Sequence, residues 1–393
     1  MNTRSAANAT GSRAAAKTIR PERSGSIAIL SVFLLVVMLS VLALAVDVGY
    51  LQVASTESQR SADAAAIAAT WKLLDQMGPN TTVTSATISA VQSTASQYAG
   101  ANRVAGAAPS LAGGDVHVGQ LGPPYNQTVP LTYDTPNLFN AVTVNVRRTA
   151  SDNGEVGLFF AKVMGRDRAA VETQATGAFL NNVAGFRTPA TGQNLDILPF
   201  TFDQPTWDSL IAGTTGTDAY SYNPSTGQVC AGTDNIAEVN LYPQGTGPPG
   251  NRGTVDIGNP NNSTADLSRQ IRTGVTAADL AYLGGSIQFD PVTHTLPLNG
   301  DTGISAGVKD DLASIIGQPR AIPIFSTVSG PGNNATYTIT KFVGVRIMYV
   351  KLTGSPSQKK VLIQPAPIVI PGVIPGTGAP TSQYVYSPVW LVK

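Results

Sequence analysis

The chain has 393 residues, of which 42% are hydrophobic and only 12% charged, with one cysteine and a formal net charge of +1. A lone cysteine excludes an intramolecular disulfide and a cysteine-based zinc site. Near-balanced charge excludes the basic footprint of a nucleic-acid binder, and a composition rich in Gly, Ser, Thr, Asn and Pro favours strands, turns and long loops.

The first 25 residues carry Arg4, Arg13, Lys17, Arg20 and Arg23 against one acid, Glu22. Behind them runs SIAILSVFLLVVMLSVLALAV, 21 residues from Ser26 to Val46 without a formal charge. As a helix this run spans about 31 Å, close to the hydrocarbon thickness of a bilayer. A single segment can cross lipid only as a helix, because every backbone N–H and C=O must be paired internally. Asp47, Glu57 and Asp63 follow, with Arg60 as the one base before Lys72. The positive-inside rule therefore keeps the tail in the cytoplasm and exports the remainder, which holds 20 basic and 23 acidic residues. Ala43-Leu44-Ala45 has the form of a signal-peptidase site. The run is nevertheless longer than the roughly 7–15-residue core of a signal peptide. No Gly or Pro breaks it before that site.

Tyr50, Val53 and Ala54 continue the helical spacing, and Ala64, Ile67, Ala68, Trp71 and Leu74 form a second apolar stripe. Between them SADAAAIAA, residues 61–69, offers small side chains that let another helix approach closely. Gly78-Pro79 stops the helix. A second helix is expected from Thr84 to Ala99, with Thr87, Val91, Ala95 and Tyr98 on one face and Gly100 as its C-terminal cap.

The period then changes to that of strands at Val116–Leu121 and Val142–Val146. Gly157–Met164 reads as a short helix with Leu158, Phe159, Phe160 and Val163 inside, and Ala169–Leu180 as a strand. A turn-rich stretch over 181–194 leads to a second unit. Helices are expected there around Thr206–Leu210, Thr264–Thr273, Ala277–Leu283 and Val308–Ile316. Strands are expected at Glu238–Tyr242, Ile322–Phe325, Tyr337–Leu352 and Val361–Gln364, the last two as a hairpin. Pro365–Pro380 is a poor candidate for regular structure, and Gln383–Val392 reads as a closing strand.

Motifs of catalysis are weak. Gly245, Gly247 and Gly250 fit G-x-G-x-x-G, but Pro248 and Pro249 remove two of the N–H donors such a loop needs, so the segment reads as a turn. His117 and His294 stand far apart with no hydrolase or zinc motif around either. Asp203, Asp208, Asp310 and Asp311 read as helix-start acids, Asp301 as part of a capped turn, and Cys230 as a buried or half-buried small apolar residue.

Residues 22–70 resemble the N-terminal region of bacterial TadE/TadG-like Flp (tight-adherence) pilus-assembly proteins. The resemblance is carried by a Gly-containing basic entry, a membrane helix ending in Asp47-Val48-Gly49-Tyr50, and the alanine-rich segment Ser61-Ala62-Asp63-Ala64-Ala65-Ala66 running on to Ala69. GPPGNRGTVDIG, residues 247–258, is similar to a P-G-N-x-G segment of larger members. The resemblance implies an inner-membrane, periplasm-facing accessory protein of pilus assembly that is not an enzyme and uses no cofactor, metal or small-molecule substrate. Its partners would be the inner membrane and other pilus-assembly or cell-envelope proteins. Pilin-type processing sites carry Glu at the fifth position after their glycine, whereas Leu30 stands there after Gly25. That departure favours the TadG-like, unprocessed branch.

The expected fold is α+β: a single N-terminal transmembrane helix extended into a periplasmic helical stalk, followed by two antiparallel-sheet-rich α+β units. In numbers, 1–25 is the cytoplasmic tail, 26–46 the span, 47–100 the stalk, 101–190 a small α+β unit and 191–370 a larger one. Residues 371–393 form a Pro/Gly-rich end with a strand. Two alternatives stay open on the residues alone: a membrane-tethered exported enzyme or ligand-binding protein with its site in 195–370, and a cleaved, secreted surface protein.

Overall fold

A computed structural model describes residues 24–242, 252–258, 263–330, 332–377 and 381–392. The tail up to Arg23, the GTGPPG turn and residues 247–251 of the P-G-N-x-G-like segment lie outside the described residues.

Ser24–Leu74 forms one continuous helix of 51 residues, α1. No proline interrupts it, and the serines of the apolar run bond back to the backbone: Ser31 and Ser40 donate to the carbonyls of Ile27 and Val36 at 2.8 Å. From Ile27 to Val46 the large apolar side chains are exposed on every face, between 43% for Val37 and 75% for Ile29. Burial begins only at Asp47 and Ala54. The run is long and apolar enough to cross a bilayer, whereas the rest of the helix packs on protein.

The second helix, α2 (Ser85–Ala101), folds back on α1. Thr84 and Thr87 form a capping box at its start, and Thr87, Val91, Ala95 and Ala99 are buried. The expected face is thus right except at Tyr98, which is 47% exposed because Ala99 takes the inward position. Gly100 lies inside the helix, and Asn102 caps it.

Against these helices lies an antiparallel sheet in the order Val116–Gly119, Ala141–Arg148, Val171–Ala178 and Trp390–Leu391. Val142, Val144, Val146 and Ala175 meet Ala62, Ala65, Ala66 and Ala69 in one core. The approach is close: a Cβ on Gly177 would sit 2.5 Å from Thr70 Oγ1 and 2.8 Å from the Ala66 carbonyl.

Within the expected turn region Val183–Arg187 is a strand, and it pairs with Ser286–Gln288 and Val373–Pro375. Five further strands close on one another. Ala335–Lys351 pairs with Leu296–Asp301, which pairs with Gly253–Val255, then Phe200–Asp203, then Pro319–Ser329, which returns to Ala335–Lys351. Helices Gln204–Ile211, Thr264–Thr273, Ala277–Tyr282 and Lys309–Ser314 form where the sequence expects them. Two clusters fill the distal core, one around Phe186, Phe325, Tyr337 and Phe342, the other around Phe200, Phe202, Trp207 and Ile347.

The closing strand is split three ways. Ser382–Gln383 pairs with Phe342–Val343, Val385–Tyr386 with Ile368–Val369, and Trp390–Leu391 with the first sheet. Tyr386 packs edge-on against Phe179 at 5.5 Å, and its hydroxyl donates to the Met77 carbonyl at 3.3 Å. The end of the chain thereby ties the distal part to the stalk. The architecture is α+β, as expected.

Candidate functional site

Asp47 is the first charged residue after the apolar run and is only 2% exposed. One carboxylate oxygen accepts the Phe159 N–H at 2.8 Å; the other accepts those of Phe160 at 2.9 Å and Ala161 at 2.6 Å. A buried carboxylate must be paired with donors, and here three consecutive backbone donors come from a turn 112 or more residues away in sequence. Tyr50, one helical turn further, meets the Phe159 ring edge-on at 5.1 Å. Beneath them Ala54, Val156 and Val171 form a small core with Tyr50, Leu51 and Ala105 against it. Gly49 has open space where a Cβ would stand, so nothing within the chain demands glycine there.

The turn held by Asp47 corrects the expected helix over Gly157–Met164. Only Ala161–Met164 is helical, as a single 3-10 turn ended by Gly165 at φ +81°. Leu158 is buried, whereas Phe159, Phe160 and Val163 point outward. Apolar residues at helical spacing read as core in sequence, but here the small core is made by Ala54, Val156 and Val171.

The alanine-rich segment is spent inside the molecule. Ala62, Ala65, Ala66 and Ala69 have no exposed surface, and the Ser61 hydroxyl donates to the Ala99 carbonyl at 3.2 Å. Asp63, half-buried, accepts the Gln59 side-chain amide at 2.7 Å. A helix from another chain cannot reach this face. The open face of α1 is the neighbouring one, where Ala64, Ile67, Ala68 and Trp71 line a shallow groove of about 550 Å³ with Thr94 and Tyr98.

Residues 25–72 match the family model described as "Putative Flp pilus-assembly TadE/G-like". The TadE/TadG-like resemblance holds over that stretch, which contains the apolar run, Asp47, Gly49, Tyr50 and the Ser61–Ala69 segment. No curated protein and no solved structure matches the chain.

Beyond the TadE/G-like segment, a cavity of about 620 Å³ opens between stalk and distal part. Its described lining includes Met77, Tyr125, Asn182 and Tyr386, with amides and hydroxyls but no carboxylate, histidine or cysteine. His117 and His294 are both exposed, and His294 sits in a turn at φ +53°. Cys230 is exposed, not buried or half-buried as expected, because its short hairpin, Tyr220–Asn223 with Gln228–Ala231, contributes no residue to either distal core. Asp203 caps its helix through the Thr206 N–H at 3.0 Å and also pairs with Arg252, while Asp208 pairs with Lys341 and Asp311 with Arg272.

Glu238, which sequence reasoning passed over, is 1% exposed. One of its oxygens accepts the Ala219 N–H at 2.9 Å; the other has no hydrogen-bond partner. Burial, with the nearby charges of Asp218 and Asp234, pushes its carboxyl up to about 7. It lies outside both cavities. Among the described residues no group of three or more His, Cys, Asp or Glu converges as a metal site would require.

Proposed function

We propose that the protein is a membrane-anchored, periplasm-facing scaffold of Flp pilus assembly or an associated secretion process, acting through protein–protein contact. The observation that carries the reading is the change of solvent along α1. It is bare and apolar on all faces to Val46, and from Asp47 onward it is locked to the rest of the chain, all within the segment that matches the TadE/G-like family.

The orientation rests on Arg4, Arg13, Lys17, Arg20 and Arg23 ahead of the span and acids after it, which favours a cytoplasmic tail and a periplasmic body in the inner membrane. Retention of the anchor is supported by the continuity of α1 across Ala43–Ala45. Scaffolding, as opposed to catalysis, is supported by the match of residues 25–72 to a pilus-assembly family. With the alanine face buried, the surfaces left for partners on the stalk are the Trp71–Tyr98 groove and the outer face near Gly49.

Removing the gene from a piliated host should abolish sheared, surface-exposed Flp pilin. The full chain should restore it, and a chain lacking 24–46 should not. Normal pilin in the deletion strain would contradict the pilus role. Restoration by the soluble truncation would contradict the anchored mechanism.

A further inference from the structure

We propose that the turn Phe159–Arg168 is a second membrane contact, seated in the headgroup region of the leaflet from which α1 emerges and selective for anionic phospholipid. This rests on reading α1 as a membrane span. Scattered exposed apolar residues are ordinary, but a contiguous apolar patch marks an interaction site. Here Phe159, Phe160, Val163 and Met164 are 60%, 47%, 92% and 79% exposed within six residues. Among the described residues, no other such cluster of large exposed apolar side chains occurs outside the apolar run of α1.

Their position selects the occupant. Asp47 binds the N–H groups of Phe159, Phe160 and Ala161 directly, and Asp47 follows the last apolar residue of the run, Val46. With about 1.5 Å of rise per residue, the turn stands within one helical turn of the hydrocarbon boundary. Lys162, Arg166 and Arg168 surround the tip and are all exposed, against one acid, Asp167, which lies 3.9 Å from Arg168. Apolar tips beside basic residues are the composition of segments that lie in a membrane interface, the rings and aliphatic groups entering the acyl boundary and the cations meeting phosphates. Two attachments, a span and a turn rigidly bonded to its exit, would fix the tilt of the stalk where a span alone leaves it free to lean.

The test uses the full chain in vesicles of phosphatidylcholine with and without phosphatidylglycerol. Single cysteines at Met164→Cys, Val292→Cys and Leu39→Cys, each in a Cys230→Ser background, carry an environment-sensitive fluorophore, and lipids with brominated acyl chains act as quenchers. Val292, 84% exposed on the distal part, is the water-side reference, and Leu39 the mid-span reference. The expected result is strong quenching at 39, several-fold more quenching at 164 than at 292, and a gain at 164 with phosphatidylglycerol that Lys162→Glu with Arg166→Glu removes. Quenching at 39 with 164 as wet as 292 would overturn the proposal while leaving the anchor intact. A dry position 164 that lipid fails to quench would assign the turn to a protein neighbour and also overturn it. No quenching at 39 would overturn the anchored reading itself.

Discussion

Asp47 joins two segments that sequence alone keeps apart. Its carboxylate supplies two oxygens to three donors, a count that an amide cannot reproduce because its nitrogen would face N–H groups. Asp47→Asn should therefore free the turn. Hydrogen exchange at the amides of 159–161 should accelerate while exchange in the distal strand Ala335–Lys351 stays unchanged, and unaltered exchange at 159–161 would contradict the clamp. Glu238 supports a different prediction. Its folded-state value of about 7 lies above the ordinary 4.5, so the fold binds this proton more tightly than the unfolded chain does. The associated stability is fully present below about pH 4.5 and is lost as pH rises through about 7. Glu238→Gln should flatten that decline, gaining about 3 kcal/mol over the parent at pH 8 and little at pH 4. Thermal unfolding of both proteins across this range is the check, and parallel profiles would refute it.

At the scale of elements, the packing of α1 on the first sheet depends on small residues on both partners. Ala62, Ala65, Ala66 and Ala69 face Gly177, whose missing side chain leaves room for the Ala66 carbonyl. Gly177→Val should cost about 1–3 kcal/mol through overpacking. Ala65→Leu and Ala69→Leu should do the same, not disturb a contact with another protein, because that face is already filled. Urea titration of the detergent-solubilised chain would measure these losses, and unchanged midpoints would contradict the packing. Local periodicity made α1, α2, the four distal helices and the hairpin of Tyr337–Leu352 with Val361–Gln364, where Val350 pairs with Val361, legible in the sequence, since amphipathic spacing and turn residues are local signals. The closed ring of five strands was not legible, because its pairings join residues as distant as Asp203 and Phe325. Nor was the outward turn of Phe159 and Phe160, since an exposed apolar side chain looks in sequence like one bound for a core. The Gln383–Val392 strand was legible as extended chain but not as three short pieces serving three different sheets.

For the molecule as a whole, the candidate site was half legible. Asp47, Gly49 and Tyr50 stood out as a motif at the exit of an apolar run, while their partners, the 159–161 amides, carried no signal at all. In the whole molecule α1 and the last residues meet in one core, with Tyr386, Trp390 and Leu391 packed against the alanine face of the helix. Under the proposed function, such a body would carry position from the membrane to a partner. The most direct measurement of that claim uses the lone cysteine, Cys230, which is exposed on the distal part. Spheroplasts expressing the unaltered chain are treated with a membrane-impermeant maleimide, and the product is recovered and weighed by intact mass spectrometry. The account predicts a full-length chain in the membrane fraction, labelled at Cys230 without lysis. A chain labelled only after lysis, cut behind Ala45, or recovered uncut from the soluble fraction would contradict it.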